Sequence, residues 1–351
     1  MTQNKTSTLY FLLRNVCNTR HNRARQTCPR GDFHVSIAIQ NPATHSSFAT
    51  AIPREYVHKV EESEVLLTGW NPVGPDRHRI TARWPIAHPF YGPVGGFHDP
   101  LLVAESVRQC VPLLSHVAYD VPFGHRQTWH SFRYELDPAA LAVTGADAEV
   151  DLRVTCTDVV RRGTRLASLN MHVEMLLDGR PLGTAETVFA NLSPALYTRL
   201  RGKYADLDEA VGRAVPLAPP MPPARVARTR YTDVVLSPTS TPTRNQLRVD
   251  LTHPALFDHA VDHAPGMLLL EAARQAMHAH THPQPVIATA MEAVFTHYVE
   301  LDTPCWIHTE PVANTSEAPA PVRLAALQNN TRAFQAMVTP TAIPPTTAGR
   351  H

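Results

Sequence analysis

Glu271-x-x-Arg274-Gln275 sets a carboxylate, a guanidinium and an amide within about one helical turn, in a segment otherwise built of Leu, Ala and Met. Residues three and four apart share a helix face, so these groups meet, and a charge on an apolar helix is costly unless paired. Two chemistries fit. Glu271, taken out of water, would hold a proton more tightly than a free carboxylate and act as general base, while Arg274 binds a phosphate or polarises a carbonyl. The alternative is an internal ion pair that fixes the helix. The helix opens with Pro265-Gly266-Met267, whose unpaired N–H groups are suited to the oxyanion of a reacting carbonyl, with Gly266 allowing a substrate to come close. In the Asp258-His259 and Asp262-His263 pairs just upstream, Asp258, His259 and His263 are, with Gln275, candidates for holding substrate.

Carboxylates beside imidazoles invite a metal, as does His278-x-His280-x-His282. The first set lacks a ligand spacing, and alternate residues on a helix do not share a face. No metal is assigned, and these three histidines are read as solvated residues at a helix end.

The motif occurs twice. Glu105-x-x-Arg108-Gln109 precedes Glu271-x-x-Arg274-Gln275 by 166 positions, and His116 and His282 share that offset, as do Trp129 with Phe295 and Phe132 with Tyr298. A period this long means a duplicated domain rather than a solenoid. Glu105 and Arg108 therefore belong to a second, pseudo-equivalent constellation.

The elements that must carry these residues follow the same order in each half. Strands are expected over Tyr56 to Trp70 and Arg79 to Trp84, then an apolar helix with Asp99 as N-cap and Pro100 first, stopped or kinked by Pro112. Val150 to Cys156 and Leu169 to Leu177 alternate as strands, the second ending at an Asp178-Gly179 turn. After the Pro-rich run Leu217 to Pro223, the order restarts. A strand carries Leu247, Val249 and Leu251, a helix spans Pro265 to Ala279, and strands follow at Trp306 to Thr309, Val322 to Leu327 and Phe334 to Val338, around an Asn329-Asn330 turn. This α+β order, a long helix wrapped by an antiparallel sheet and then repeated, is that of a double hotdog. The expected division is a flexible leader over 1–47, a first hotdog domain over 48–200, a Pro-rich linker over 201–225, a second hotdog domain over 226–340 and a tail over 341–351.

Composition narrows the partners. The 32 Lys and Arg residues are scattered among 31 acidic ones, so no polyanion-binding stripe is present, and neither nucleic acid nor a membrane is expected as partner. Five cysteines without CxxC spacing suggest neither a disulfide framework nor a zinc ribbon, and a reducing cytoplasm is the expected location. Leu9 to Leu13 is too short for a signal-peptide core. No Gly-rich phosphate loop is seen, and no cofactor is expected.

Leu256 to Gln275, with its doubled Asp-His and its Pro265-Gly266, resembles the second half of the AfsA-type A-factor synthases. Its Pro265-Gly266 to Gln275 portion also looks like the helix start of hotdog dehydratases. Ile52-Pro53-Arg54-Glu55-Tyr56-Val57-His58 followed by Glu64-Val65-Leu66-Leu67-Thr68 is similar to the opening of the same synthase family. The resemblance covers roughly Ala49 to Val338. It departs from the dehydratases where their catalytic histidine belongs, since Phe257 and Tyr91 stand there. It implies an acyltransferase that moves a β-ketoacyl group from acyl carrier protein to dihydroxyacetone phosphate, giving a 2-oxo-3-(phosphooxy)propyl 3-oxoalkanoate that condenses to a phosphorylated butenolide, a precursor of signals such as γ-butyrolactones. Sites between paired units would then set Glu105 against His259 or His263, and Glu271 against His98 and Asp99. Glu271, Arg274 and Glu105 are the catalytic candidates, with the Glu271 helix as the essential one. Arg108, Asp258, His259, His263, Gly266, Met267 and Gln275 are the substrate-binding candidates. The two halves would form an intramolecular pseudo-dimer; its further pairing into a homodimer is open at this level, as are two rival readings, a hotdog thioesterase and a non-catalytic acyl-binding regulator.

Overall fold

The computed structural model describes residues 51–312 and 319–343. The leader over 1–47 and the tail beyond Ile343 lie outside the described residues. The chain forms the hairpin β1 (Leu67–Gly74) and β2 (Arg77–Trp84), the central helix α1 (Leu101–Val117), and strands β3 (Arg126–Leu136), β4 (Ala148–Arg162), β5 (Arg165–Leu177) and β6 (Arg180–Leu192). Two short helices, α2 (Pro194–Arg201) and α3 (Leu207–Gly212), lead to β7 (Leu236–Pro238), β8 (Arg244–Leu247), the central helix α4 (Gly266–Thr281), β9 (Val286–Phe295), β10 (Trp306–Pro311), β11 (Val322–Gln328) and β12 (Thr331–Ala342).

All twelve strands join one antiparallel sheet in the order β1-β2-β4-β5-β6-β3-β9-β12-β11-β10-β8-β7. Read outward from the β3–β9 seam, the order is the same on both sides, so the duplication expected from the sequence is built into the sheet as a pseudo-twofold. At the seam Phe132 lies opposite Ala293 and Tyr134 opposite Met291. α1 packs on strands of the first half and α4 on strands of the second, and the two helices touch. Alternation explains the strands: in β2, His78, Ile80, Ala82 and Trp84 are buried while Arg77, Arg79 and Arg83 face out. The Asp178-Gly179 and Asn329-Asn330 turns have the positive φ values that tight hairpins require.

Several expectations are corrected. Tyr56 to Trp70 is not one strand, because 3-10 turns occupy Arg54–Val57 and Glu62–Glu64 and His58 takes a left-handed φ of 52°; this turns Lys59 inward. Pro112 does not end α1, which continues to Val117; Asp99 caps it as expected, with Oδ1 accepting the Leu101 N–H at 3.0 Å. The strand through Leu247 stops there, since Asp250 closes a turn onto the Thr252 N–H. Phe132 and Tyr298 are not equivalent positions, Tyr298 lying beyond β9 against His263. Trp129 and Phe295 instead meet each other, 5.5 Å apart. His278 is buried, not solvated, while His280 and His282 are exposed.

Candidate active site

The Glu271 cluster is closed. Its Oε1 accepts from Arg228 Nε (2.7 Å), Arg274 Nη2 (2.9 Å) and Gln275 Nε2 (2.6 Å), and Oε2 accepts from Arg274 Nε (2.7 Å). Arg274 and Glu271 are 1% and 0% exposed. Arg228 also reaches Asp99 Oδ2 at 2.9 Å and the Phe90 carbonyl at 2.7 Å, so it ties the capped start of α1 to the middle of α4. Burial would raise the Glu271 pKa, but Arg228 and Arg274 outweigh it and hold the carboxyl at about 2. The expectation of a tightly held proton is therefore corrected: the two guanidiniums lower the Glu271 pKa, and four donated hydrogen bonds enclose the carboxylate. Arg274 turns Nε and Nη2 to Glu271 and the Val226 carbonyl, while its Nη1 is buried with no hydrogen-bond partner among the described residues. Gln275 bonds Glu271 and the backbone of Asp233 and Val235, so it braces the fold at this point. Asp99 does stand near Glu271, through Arg228, whereas His98 packs against Trp84.

The Glu105 cluster repeats this plan and is more open. Glu105 accepts from Arg108 Nε (2.9 Å) and Nη2 (2.7 Å) and from Gln109 Nε2 (2.8 Å), and Lys59 Nζ lies 3.2 Å away. Despite burial, Arg108 and Lys59 hold its pKa at about 2. The Arg108 side chain, unlike Arg274, is 21% exposed, and its Nη1 has no hydrogen-bond partner among the described residues. The loop before α4 is tied to this cluster, because Asp258 accepts the N–H groups of Val60 (2.7 Å) and Glu61 (3.3 Å), on either side of which stand Lys59 and Glu62. His259, 3.7 Å from the Asp258 carboxylate, stays largely exposed.

A second repeat, overlooked in the sequence, accounts for the likeness. Val57-His58-Lys59 matches Val226-Ala227-Arg228, offset by 169 positions, with an acid five residues later in each case, Glu64 and Asp233. His58 and Ala227 share a left-handed φ, and Val57 and Val226 offer their carbonyls to Arg108 and Arg274. His88 and His253 match too, each using Nδ1 to accept two backbone N–H groups. The signal was there, but Lys and Arg differ in name, and the two repeats have different offsets.

The two clusters differ at one carboxylate. Asp99 caps α1 and meets Arg228; at the matching place before α4, Pro265 caps without any side-chain hydrogen bond. Among the described residues, the N–H groups of Gly266, Met267 and Leu268 have no hydrogen-bond partner. Gly266 is needed here for another reason than expected: a Cβ would lie 2.9 Å from the Trp129 ring and 3.5 Å from Phe295, so the close approach is that of the cover, not of substrate. Met267 is buried behind it and contributes through its backbone.

Fused antiparallel half-sheets, each carrying a buried helix with a Glu–Arg–Gln cluster, define a tandem hotdog protein. The chain belongs to the AfsA family: the model of the A-factor biosynthesis hotdog domain matches residues 41–193 and 212–344. It is 42% identical over 289 residues to a 2-oxo-3-(phosphooxy)propyl 3-oxoalkanoate synthase from Streptomyces virginiae, covering 82% of this chain and 97% of that protein. Proteins of the same name from Streptomyces coelicolor and Streptomyces griseus are 38% and 34% identical, covering 82% and 81% of this chain and 90% and 93% of theirs. Among the described residues, no helix is long and apolar enough to cross a membrane, and no group of three or more His, Cys, Asp or Glu side chains is arranged to hold a metal.

Proposed function

We propose that this protein transfers a β-ketoacyl group from an acyl-carrier-protein thioester to the free hydroxyl of dihydroxyacetone phosphate, and that it does so beside Glu105 rather than Glu271. The observation that carries the choice of site is the missing carboxylate: Asp99 fills the α1 start and Arg228, and Pro265 leaves the α4 start unfilled. The names of the relatives describe a 2-oxo-3-(phosphooxy)propyl 3-oxoalkanoate, which supports a 3-oxoacyl group and a phosphooxypropyl acceptor.

In this reading the thioester carbonyl lies at the Gly266 and Met267 N–H groups, which stabilise the oxyanion as the hydroxyl oxygen attacks. The phosphate meets the exposed Arg108 Nη1, with His259 at the rim. Glu105 is no base; it fixes Arg108 and Lys59. The carbon–sulfur bond breaks and the thiol leaves. The ester then carries a methylene between two carbonyls, which condenses onto the nearby ketone and loses water to give the phosphorylated butenolide. The test is mass spectrometry of the protein with a β-ketoacyl thioester, with and without dihydroxyacetone phosphate. A phosphorylated ester or butenolide formed only with the phosphate is expected. Thiol release indifferent to it would mean a thioesterase, and binding without turnover a regulator.

A further inference from the structure

Acyl transfer needs a group to take the hydroxyl proton, and both glutamates already use their oxygens to accept hydrogen bonds from the arginine and glutamine beside them, with Arg228 or Lys59 alongside. We propose that His263 is that group, accepting the proton at Nε2 and passing it to the departing thiolate sulfur, with Asp262, Tyr197 and Arg201 as its positioning residues. The inference rests on the transfer reading above and extends it to a residue the sequence pointed to only as a substrate contact.

His263 Nδ1 lies 2.6 Å from Asp262 Oδ1, so the carboxylate holds the N–H and leaves the Nε2 lone pair for substrate. Nε2 has no hydrogen-bond partner among the described residues, and the side chain is 25% exposed. Two residues later Pro265 caps α4, which puts the ring at the start of the helix whose N–H groups are unfilled.

The support behind the ring is extensive. Tyr197 donates its hydroxyl to Asp262, at 2.6 and 2.8 Å from the two oxygens, and Arg201 Nε stands 3.5 Å from the same carboxylate. Arg201 forks onto Glu300 at 2.6 and 2.7 Å, and reaches the Asp262 carbonyl at 3.3 Å. Tyr298 is sandwiched at 4.6 Å from the His263 ring and 4.1 Å from the Arg201 guanidinium. Tyr197 and Arg201 lie on α2, at the edge of the stretch the sequence suggested was a mere linker. A carboxylate braced in this way fixes both tautomer and ring orientation.

His58, His88, His253 and His259, the imidazoles beside the two clusters and the Asp258 loop, are otherwise placed. His58 bonds His116 at 2.9 Å, His88 and His253 spend Nδ1 on backbone, and His259 lies 3.7 Å from its aspartate, too far to be held. The step balances: the O–H proton goes to Nε2, the oxygen–carbon bond forms, the carbon–sulfur bond breaks, and Nε2 returns the proton to sulfur.

The test compares wild type with His263→Gln, His263→Gly and Tyr197→Phe, using purified full-length protein, a β-ketoacyl thioester and dihydroxyacetone phosphate. His263→Gln is expected to lower kcat by about 100-fold or more, the usual contribution of a general base, with KM for both substrates and the melting temperature near wild type. Imidazole added to His263→Gly should restore part of the rate, and Tyr197→Phe should lower kcat without raising KM. A His263→Gln protein that keeps kcat, one that loses binding instead, or a His263→Gly protein that imidazole does not rescue would overturn the assignment. Failure of the wild type to make a phosphate-dependent product would instead overturn the transfer reading itself.

Discussion

Glu271→Ala is expected to unfold the protein more readily before it tells anything about catalysis. Removing this carboxylate leaves Arg228 and Arg274 facing each other's charge in a sealed site, with Asp99 as the one remaining direct counter-ion. Breaking a buried ion pair on one side typically costs about 3–5 kcal/mol, which for a chain of this size lowers the melting temperature by about 4–7 °C. The measurement is a thermal melt of the purified variant next to wild type. A melting temperature within a degree or two of wild type, together with lost turnover, would restore Glu271 as the base. The same chemistry makes the folded protein acid-sensitive. Glu271 and Glu105 have folded pKa values of about 2 against an ordinary 4.5, so their stabilising contribution is complete above that ordinary value and is lost as pH falls from there toward 2.

Pro265→Asp should silence the enzyme while leaving it folded. The substitution copies Asp99: an aspartate at the N-cap accepts N–H groups of the first turn of α4 and, by the pseudo-twofold, points at Lys59 as Asp99 points at Arg228. Aspartate is a preferred cap, worth about 1 kcal/mol over a residue that cannot cap, so no loss of stability is expected. The carboxylate would occupy the place of the thioester oxygen, and losing even one oxyanion donor costs about 100-fold or more in kcat. Steady-state rates and a thermal melt settle it. A fully active Pro265→Asp protein would mean that the reaction does not use the α4 start.

The duplication, both central helices and the Glu–Arg–Gln clusters were legible in the sequence because helical spacing and chemically distinctive residues survive on one chain position after another. Which cluster is the more open was not legible. Which cluster is sealed depends on Arg228, a residue 43 positions from Glu271 that folds back through a left-handed turn, and on Asp99 arriving from the other half. Spacing gives no hint of either. The doubled Asp-His looked like one motif, but its members part company: Asp258 binds backbone, whereas Asp262 orients His263. The direction of the Glu271 pKa was misjudged for a similar reason. Burial alone raises a carboxylate, and only the two arginines, one of them distant in sequence, reverse it.

The most direct check on the site is a crystal structure of the protein with dihydroxyacetone phosphate and a non-cleavable β-ketoacyl pantetheine thioether. The expected density puts the phosphate on Arg108, the ketoacyl carbonyl at the Gly266 and Met267 N–H groups, and the free hydroxyl within hydrogen-bond reach of His263 Nε2. Density for these ligands beside Arg228 and Arg274, with the α4 start empty, would contradict the account.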